Sequence, residues 1–373
     1  MTTNQKYLVL ACDGGGIRGL ITALLLEQLG PGLLGQVYLF AGTSTGGILS
    51  LGLACGVPVA ELVSLYETDG EQIFTKSQCL GGPGAQAAAA AALAPAQGAP
   101  VGGIWTDILQ YLAELICVKY DNAGLMGAVN STLGGSAGAT LSSLDRNVMV
   151  TTFQLYGNEP NGAWGPLELH NIPNITDNPS ASTKVIDAAM STSAAPTYFP
   201  PYNHPAFGYC ADGGVFANNP ALLAVSKLIE SGIPLESIWV LSLSTGNTVN
   251  SYPPSLINSV YAPASAFGPF FWLFPEAQQS TQGTQQTYTP GMPLTSALFD
   301  GVSEVNDYQC SLVIPKGQYK RANVPLTAPV ALDDYSPQAI QAMKDAVSSY
   351  TGESGGEWAG IVSWINDNFP GGS

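Results

Sequence analysis

Two short apolar runs, YLVLA at 7–11 and VYLFA at 37–41, each lead into a glycine-rich turn and then into a stretch of helical length. The first turn is CDGGGIRG at 12–19, followed by LITALLLEQLG and a stop at Gly30-Pro31. The second is GTSTGG at 42–47, followed by ILSLGLACG. Runs of this length bounded by glycine read as buried strands. Two strands separated by a helix-length connection pair parallel, so the opening β–loop–α–β–turn–α pattern predicts an α/β fold with a mostly parallel sheet covered by helices. Further helices are expected from Pro58 to about Lys76, over 104–118 and over 335–350, and further strands over 147–153 and 238–244. No repeat or sharp linker divides the chain, so 1–373 reads as a single catalytic domain. Residues 81–100, rich in Ala, Gly and Pro, read as a flexible loop or flap. Residues 250–300 read as a variable insertion, with the aromatic stretch FGPFFWLFP at 267–275 as a candidate lipid-facing rim.

The glycine turn admits two chemistries. Gly14-Gly15-Gly16-Ile17-Arg18-Gly19 fits G-x-G-x-x-G, the dinucleotide fingerprint, between a strand and a helix. Asp13 would then stand beside a pyrophosphate and repel it, and the second strand ends in Gly-Thr-Ser-Thr-Gly instead of an acid for the ribose hydroxyls. No GK[ST] follows, which excludes a Walker loop. The other chemistry starts from Gly42-Thr43-Ser44-Thr45-Gly46, a G-x-S-x-G placed between strand and helix. This is the pattern of a nucleophile elbow, with Ser44 at its tip. Both turns leave the same carboxyl edge of the sheet. The amides of Gly14, Gly15 and Gly16 would then face the oxygen of a carbonyl attacked by Ser44, as an oxyanion hole. Arg18 either adds charge there or forms a helix-start salt bridge.

A serine nucleophile needs a base. The chain holds two histidines, His170 and His204. The best acid for an α/β-hydrolase triad is Asp212, and no histidine follows it, so the Ser…Asp…His order is absent. His204, in PPYNHP, reads as an exposed loop histidine. Taken alone, Asp212 before Gly213-Gly214 reads as a turn aspartate.

Together, DGGGIRG at 13–19, GTSTGG at 42–47 and DGG at 212–214 resemble the patatin-like phospholipase family. STSAAPTYFPPY at 191–202, KYDNAGLMGAVNSTLGG at 119–135 and ALDDYSPQAIQAM at 331–343 are similar to patatin stretches, and LSLSTG at 241–246 carries Ser244 where the family has glycine. The resemblance implies a three-layer α/β/α fold and a Ser–Asp dyad, with Ser44 as nucleophile, Asp212 as base and the 13–19 loop as oxyanion hole. It implies a calcium-independent lipid acyl hydrolase or carboxylesterase that needs no metal and no cofactor. The partner would be a lipid or small-ester substrate, with transient contact at a membrane surface. Two competing readings are a nucleotide-binding module built on GGGIRG and a storage protein that keeps the fold without turnover.

The charge balance narrows the partners. Eleven Lys+Arg against 27 Asp+Glu give a net charge of −16, which excludes a nucleic-acid partner and disfavours anionic membranes. The six cysteines form no CxxC pair and have no neighbouring histidine, so the thiols are expected to be reduced. No signal peptide and no transmembrane run is expected, which points to a cytoplasmic or membrane-peripheral location.

Overall fold

A computed structural model of the chain describes residues 5–77, 117–156, 163–248, 278–282, 285–289 and 293–371. The flap at 81–100, the 104–118 helix up to residue 116 and the FGPFFWLFP stretch lie outside the described residues.

The chain opens as its sequence predicts. Strand β1 (Tyr7–Cys12) passes through a short 3-10 turn into helix α1 (Gly19–Gln36), and β2 (Val37–Thr43) turns at Ser44 into α2 (Thr45–Ala54). The expected stop at Gly30-Pro31 is a kink: Gly30 adopts φ 71°, and the helix resumes beyond it as far as Gln36. Helices α3 (Val59–Thr68) and α4 (Gly70–Ile73) divide the single helix expected over 58–76, and α5 (Asn122–Leu133) follows, capped by Asp121. Then come β3 (Asn147–Tyr156), β4 (Gly165–His170), α6 (Val185–Thr192), β5 (Tyr202–His204) and β6 (Gly208–Asp212). The remainder is α7 (Gly214–Ala217), α8 (Ala221–Glu230), β7 (Ile238–Leu243), the hairpin β8 (Gln278–Gln282) and β9 (Gln285–Thr289), α9 (Pro293–Val313), β10 (Tyr319–Ala322), α10 (Pro337–Gly352) and α11 (Glu357–Asn368).

Among the described residues the main sheet runs β10-β7-β1-β2-β3-β6-β5, with β4 also paired to β3. From β10 through β3 every pairing is parallel; β4, β6 and β5 join through antiparallel pairings, so the sheet is mixed and its parallel half carries both glycine turns. Alternate side chains of β1 enter two separate cores. Leu8, Leu10 and Cys12 pack with α1, α2, α10 and α11, whereas Val9 and Ala11 pack with Val225 and Leu228 of α8 and Cys310 of α9. This period-two alternation between two helix layers defines the α/β/α sandwich.

Strand β3 serves as a ruler. Its residues 149–154 pair with β4 along one edge. Along the other edge, 147–151 pair with β2 and 152 onward with β6. A strand has two edges, so β2 and β6 meet end to end on the same one. Thr43 faces Thr151 and Asp212 faces Thr152, which sets the carboxyl ends of β2 and β6 against each other.

Cysteine usage differs from expectation. Cys12, Cys55, Cys210 and Cys310 are free thiols, but Cys117 is disulfide-bonded. Spacing patterns reveal metal knuckles and CxxC pairs, and Cys117 belongs to neither. One helical stretch among the described residues, Gly16–Gln36, is long and apolar enough to cross a membrane, and 61% of its apolar window is buried inside the protein.

Candidate active site

The elbow at Ser44 is built by small residues. Ser44 adopts φ 54° and ψ −123°, outside the region comfortable for a side chain. Such strain persists only where the surroundings over-determine it. Here a Cβ on Gly42 would collide with the Gly46 backbone, and one on Gly46 with the carbonyls of Cys12 and Asp13. Helix α2 can therefore start hard against the end of β1. The Ser44 amide donates to Thr192 Oγ1 at 2.8 Å, and that hydroxyl donates to the Thr151 carbonyl at 2.6 Å. Thr43 Oγ1 donates to the Ala217 carbonyl at 2.6 Å and lies 2.7 Å from Thr151 Oγ1. Thr45 donates to the Tyr66 hydroxyl at 2.5 Å.

Asp212 ends β6 with no solvent exposure. Its Oδ1 accepts the Gly214 amide at 2.7 Å, the local bond of a turn aspartate, while Oδ2 is buried without a full hydrogen bond. Desolvation raises its pKa from 3.8 to about 7, although the nearby Ser44 hydroxyl and the Gly214 amide both lower it. A carboxylate in water is a poor base towards serine; one titrating near neutrality is better matched to proton transfer.

The glycine loop lies over the elbow. A Cβ on Gly14 would approach Ser44 Cβ to 3.2 Å. The Gly14 amide, however, donates to the Asn218 carbonyl at 3.0 Å, so it is already engaged. The Gly15 and Gly16 amides have no partner among the described residues. Arg18 turns its Nε to the Gly15 carbonyl at 3.5 Å, and its own amide donates to the same carbonyl at 3.2 Å. It braces the loop. Asp13 points away from the loop, forming a two-bond ion pair with Arg321 of β10 (Oδ2 to Nη2 2.5 Å, Oδ1 to Nη1 3.2 Å).

Between Ser44 and helices α3 to α5 lies a pocket with about 580 Å³ of empty space, open to solvent at its mouth. Its walls are apolar, formed by Ile48, Leu65, Tyr66, Ile73, Phe74 and Leu125 among others. Neither histidine lines it. His204 departs from the sequence expectation: it is 2% exposed, in β5, and its Nδ1 accepts the amides of Ala206 and Phe207. The β5–β6 pairing sets His204 opposite Gly208, at the far end of β6 from Asp212. The sequence reading missed Thr192, Asn218, Thr245 and Arg321. Thr192, Asn218 and Thr245 lie in or near a quoted stretch and Arg321 does not, but none carries a chemical signature at sequence level, because each works by where it places a hydrogen bond.

The sequence profile described as patatin-like phospholipase matches residues 10–225, a span that includes Ser44, Asp212 and the glycine loop. Among curated proteins, the chain is 32% identical over 271 residues to a cGAMP-activated phospholipase of Escherichia coli (strain TW11681), covering 68% of this chain and 66% of that protein. It is 30% identical over 276 residues to patatin-like protein 2 of Arabidopsis thaliana, covering 66% of this chain and 61% of that one. It is 26% identical over 245 residues to the putative sporulation hydrolase CotR of Bacillus subtilis (strain 168), covering 65% and 63%. The chain thus spans slightly under two thirds of the length of each of these relatives. With more than half of its residues inside the matched profile, and with the sandwich and elbow described above, the chain belongs to the patatin-like phospholipase family.

Proposed function

We propose that this protein is a serine lipid acyl hydrolase of the phospholipase A or carboxylesterase type, working through a Ser44–Asp212 dyad without a metal or cofactor. The observation that carries this reading is the end-to-end meeting of β2 and β6 on β3. It brings a strained serine and a fully buried, half-satisfied carboxyl to one point beside an apolar pocket. Asp212 Oδ2 takes the Ser44 proton as the hydroxyl oxygen attacks the ester carbonyl. The tetrahedral oxyanion is received by the Gly15 and Gly16 amides, with Gly14 serving as their anchor and Arg18 as their brace. The proton passes to the leaving alcohol or lysolipid; water, deprotonated in turn by Asp212, then attacks the acyl carbon, and the acid leaves as the carbon–Oγ bond breaks and Asp212 returns the proton to Ser44 Oγ. The acyl chain lies along the Ile48–Phe74–Leu125 walls.

With the chain's acidic balance, the reading favours neutral or zwitterionic lipids and small esters. Residues 81–100 and 250–300 are proposed to govern access of long chains as parts of one catalytic domain, and deleting 83–99 should then change long-chain rates more than short-chain rates. For the dyad, Ser44→Ala and Asp212→Asn should each reduce p-nitrophenyl ester hydrolysis by at least about a thousandfold, as expected for loss of a nucleophile or its base. Circular dichroism and thermal melting should report an intact fold. Full activity in folded Ser44→Ala would remove the proposal.

A further inference from the structure

Resting on that reading, a further question is what aims the amides of a loop made of three glycines. Glycine has the widest backbone freedom of any residue, and a run of them permits its peptide planes to rotate. Both peptide groups flanking the Gly14 α-carbon are nevertheless gripped. The N–H of the Asp13–Gly14 peptide donates to the Asn218 carbonyl at 3.0 Å. The C=O of the Gly14–Gly15 peptide accepts the Thr245 hydroxyl at 2.9 Å and the Asn218 side-chain amide at 3.4 Å. A trans peptide is planar, with its C=O and N–H pointing in opposite directions. Pulling the Gly14 carbonyl towards Thr245 therefore turns the Gly15 N–H the other way.

The clamp is itself rigid. Thr245 is 4% exposed and Asn218 5%. Thr245 side-chain carbons stand 2.6 and 2.8 Å from where a Gly15 Cβ would sit, so the hydroxyl is held against the loop by packing as well as by its bond. Thr245 follows β7 in a turn tied down on both sides: the Ser244 amide donates to the Ala322 carbonyl, Ser244 Oγ to Asn323 Oδ1 and the Gly246 amide back to Ser244 Oγ. Asn218 Nδ2 also donates to Ser303 Oγ of α9 at 2.9 Å. Thr245 does not line the pocket.

We infer that Thr245, with Asn218 as a second clamp, is a positioning residue: it locks the peptide between Gly14 and Gly15 so that the Gly15 amide faces the developing oxyanion. Thr245 contacts the loop and does not line the pocket, so its effect is expected to fall on the transition state.

The test compares Thr245→Val, which keeps the shape and removes the donor, with Thr245→Ser, which keeps the donor. Active sites are titrated with a fluorophosphonate. Thr245→Val should lower kcat on p-nitrophenyl esters by about ten- to a hundredfold, less than the roughly hundred- to thousandfold loss that follows deletion of a whole oxyanion donor. KM should stay within about twofold. Affinity for an alkyl trifluoromethyl ketone, which places a negative oxygen in the hole, should fall in proportion to kcat, while affinity for the alcohol of the same chain length stays level. Thr245→Ser should recover kcat to within about threefold. If Thr245→Val does not fold, Thr245→Ala removes the same hydroxyl with less bulk and supports the same comparison. Unchanged kcat per titrated site, or parallel losses of ketone and alcohol affinity, would overturn the inference and leave Thr245 a packing residue. A wild-type protein that hydrolyses no ester and takes up no fluorophosphonate would instead fail the dyad reading, and this inference would fall with it.

Discussion

At the scale of single residues, burial at the candidate site carries a pH-dependent effect on stability. Asp212 is the clearest instance, because burial lifts its carboxyl from 3.8 to about 7. The folded protein holds a proton that the unfolded chain releases between those values. This contribution to stability is fully present below about pH 4 and is lost as pH rises through about 7. Asp212→Asn cannot ionise, so its melting temperature relative to wild type should climb from pH 4 to pH 8, as read by calorimetry; a constant difference would contradict the burial argument. Activity should run the other way. If Asp212 is the base, kcat/KM should fall about tenfold per pH unit below 7 and level off above it, checked with an ester whose own hydrolysis is corrected for. His204→Phe should leave kcat within about threefold while costing about 1–3 kcal/mol of stability, because two backbone amides lose their acceptor. A chemical denaturation curve measures that loss. The sequence could not reveal that His204 is buried: proline-flanked histidines usually lie on exposed loops, and here the short β5 pairing carries it inward.

Secondary elements carry the part of the fold that the sequence made most legible. The β–loop–α–β–turn–α opening follows from apolar run length and glycine placement, both local properties. The kink at Gly30 is marked locally by Gly30-Pro31, which reads as a stop and proves a bend; the division of 58–76 into α3 and α4 and the antiparallel joining of β4, β5 and β6 depend on distant partners and left no local trace. Glycines at element crossings are the points of least tolerance. A Cβ on Gly46 would strike the carbonyls that end β1, so Gly46→Ala must push α2 away from the sheet. It should cost about 1–3 kcal/mol by overpacking, measurable as a lower urea midpoint, and should also reduce esterase activity because the elbow moves. By contrast, Gly35→Ala has open space around its Cβ in α1 and should be neutral or stabilising. The reading of Gly14, Gly15 and Gly16 as an oxyanion hole rests on glycine spacing, which marks a loop; the neighbour that takes the Gly14 amide, Asn218, lies 204 positions away.

At the scale of the whole molecule, net charge governs encounter with substrate surfaces. A chain at −16 is repelled by anionic bilayers over about 10 Å at 0.1 M salt, and more salt shortens that range. Hydrolysis of anionic vesicles should therefore rise severalfold between 20 and about 300 mM NaCl, while rates on zwitterionic vesicles stay level; a vesicle assay that finds no salt effect on either would reject the charge argument. Charge and composition were readable from the start, whereas the Asp13–Arg321 pair, bridging 308 positions to tie β10 behind the glycine loop, was not. Strand β3 carries one more implication. Thr43 and Asp212 abut because each takes its register from adjacent residues of a third strand, so the spacing of serine and carboxyl owes nothing to the length of peptide that joins them. Exchange of an excursion between those strands would therefore alter the pocket walls or the Thr192 support it carries and leave the strand ends abutting, whereas a single residue inserted between Thr151 and Thr152 would pull Ser44 and Asp212 out of step.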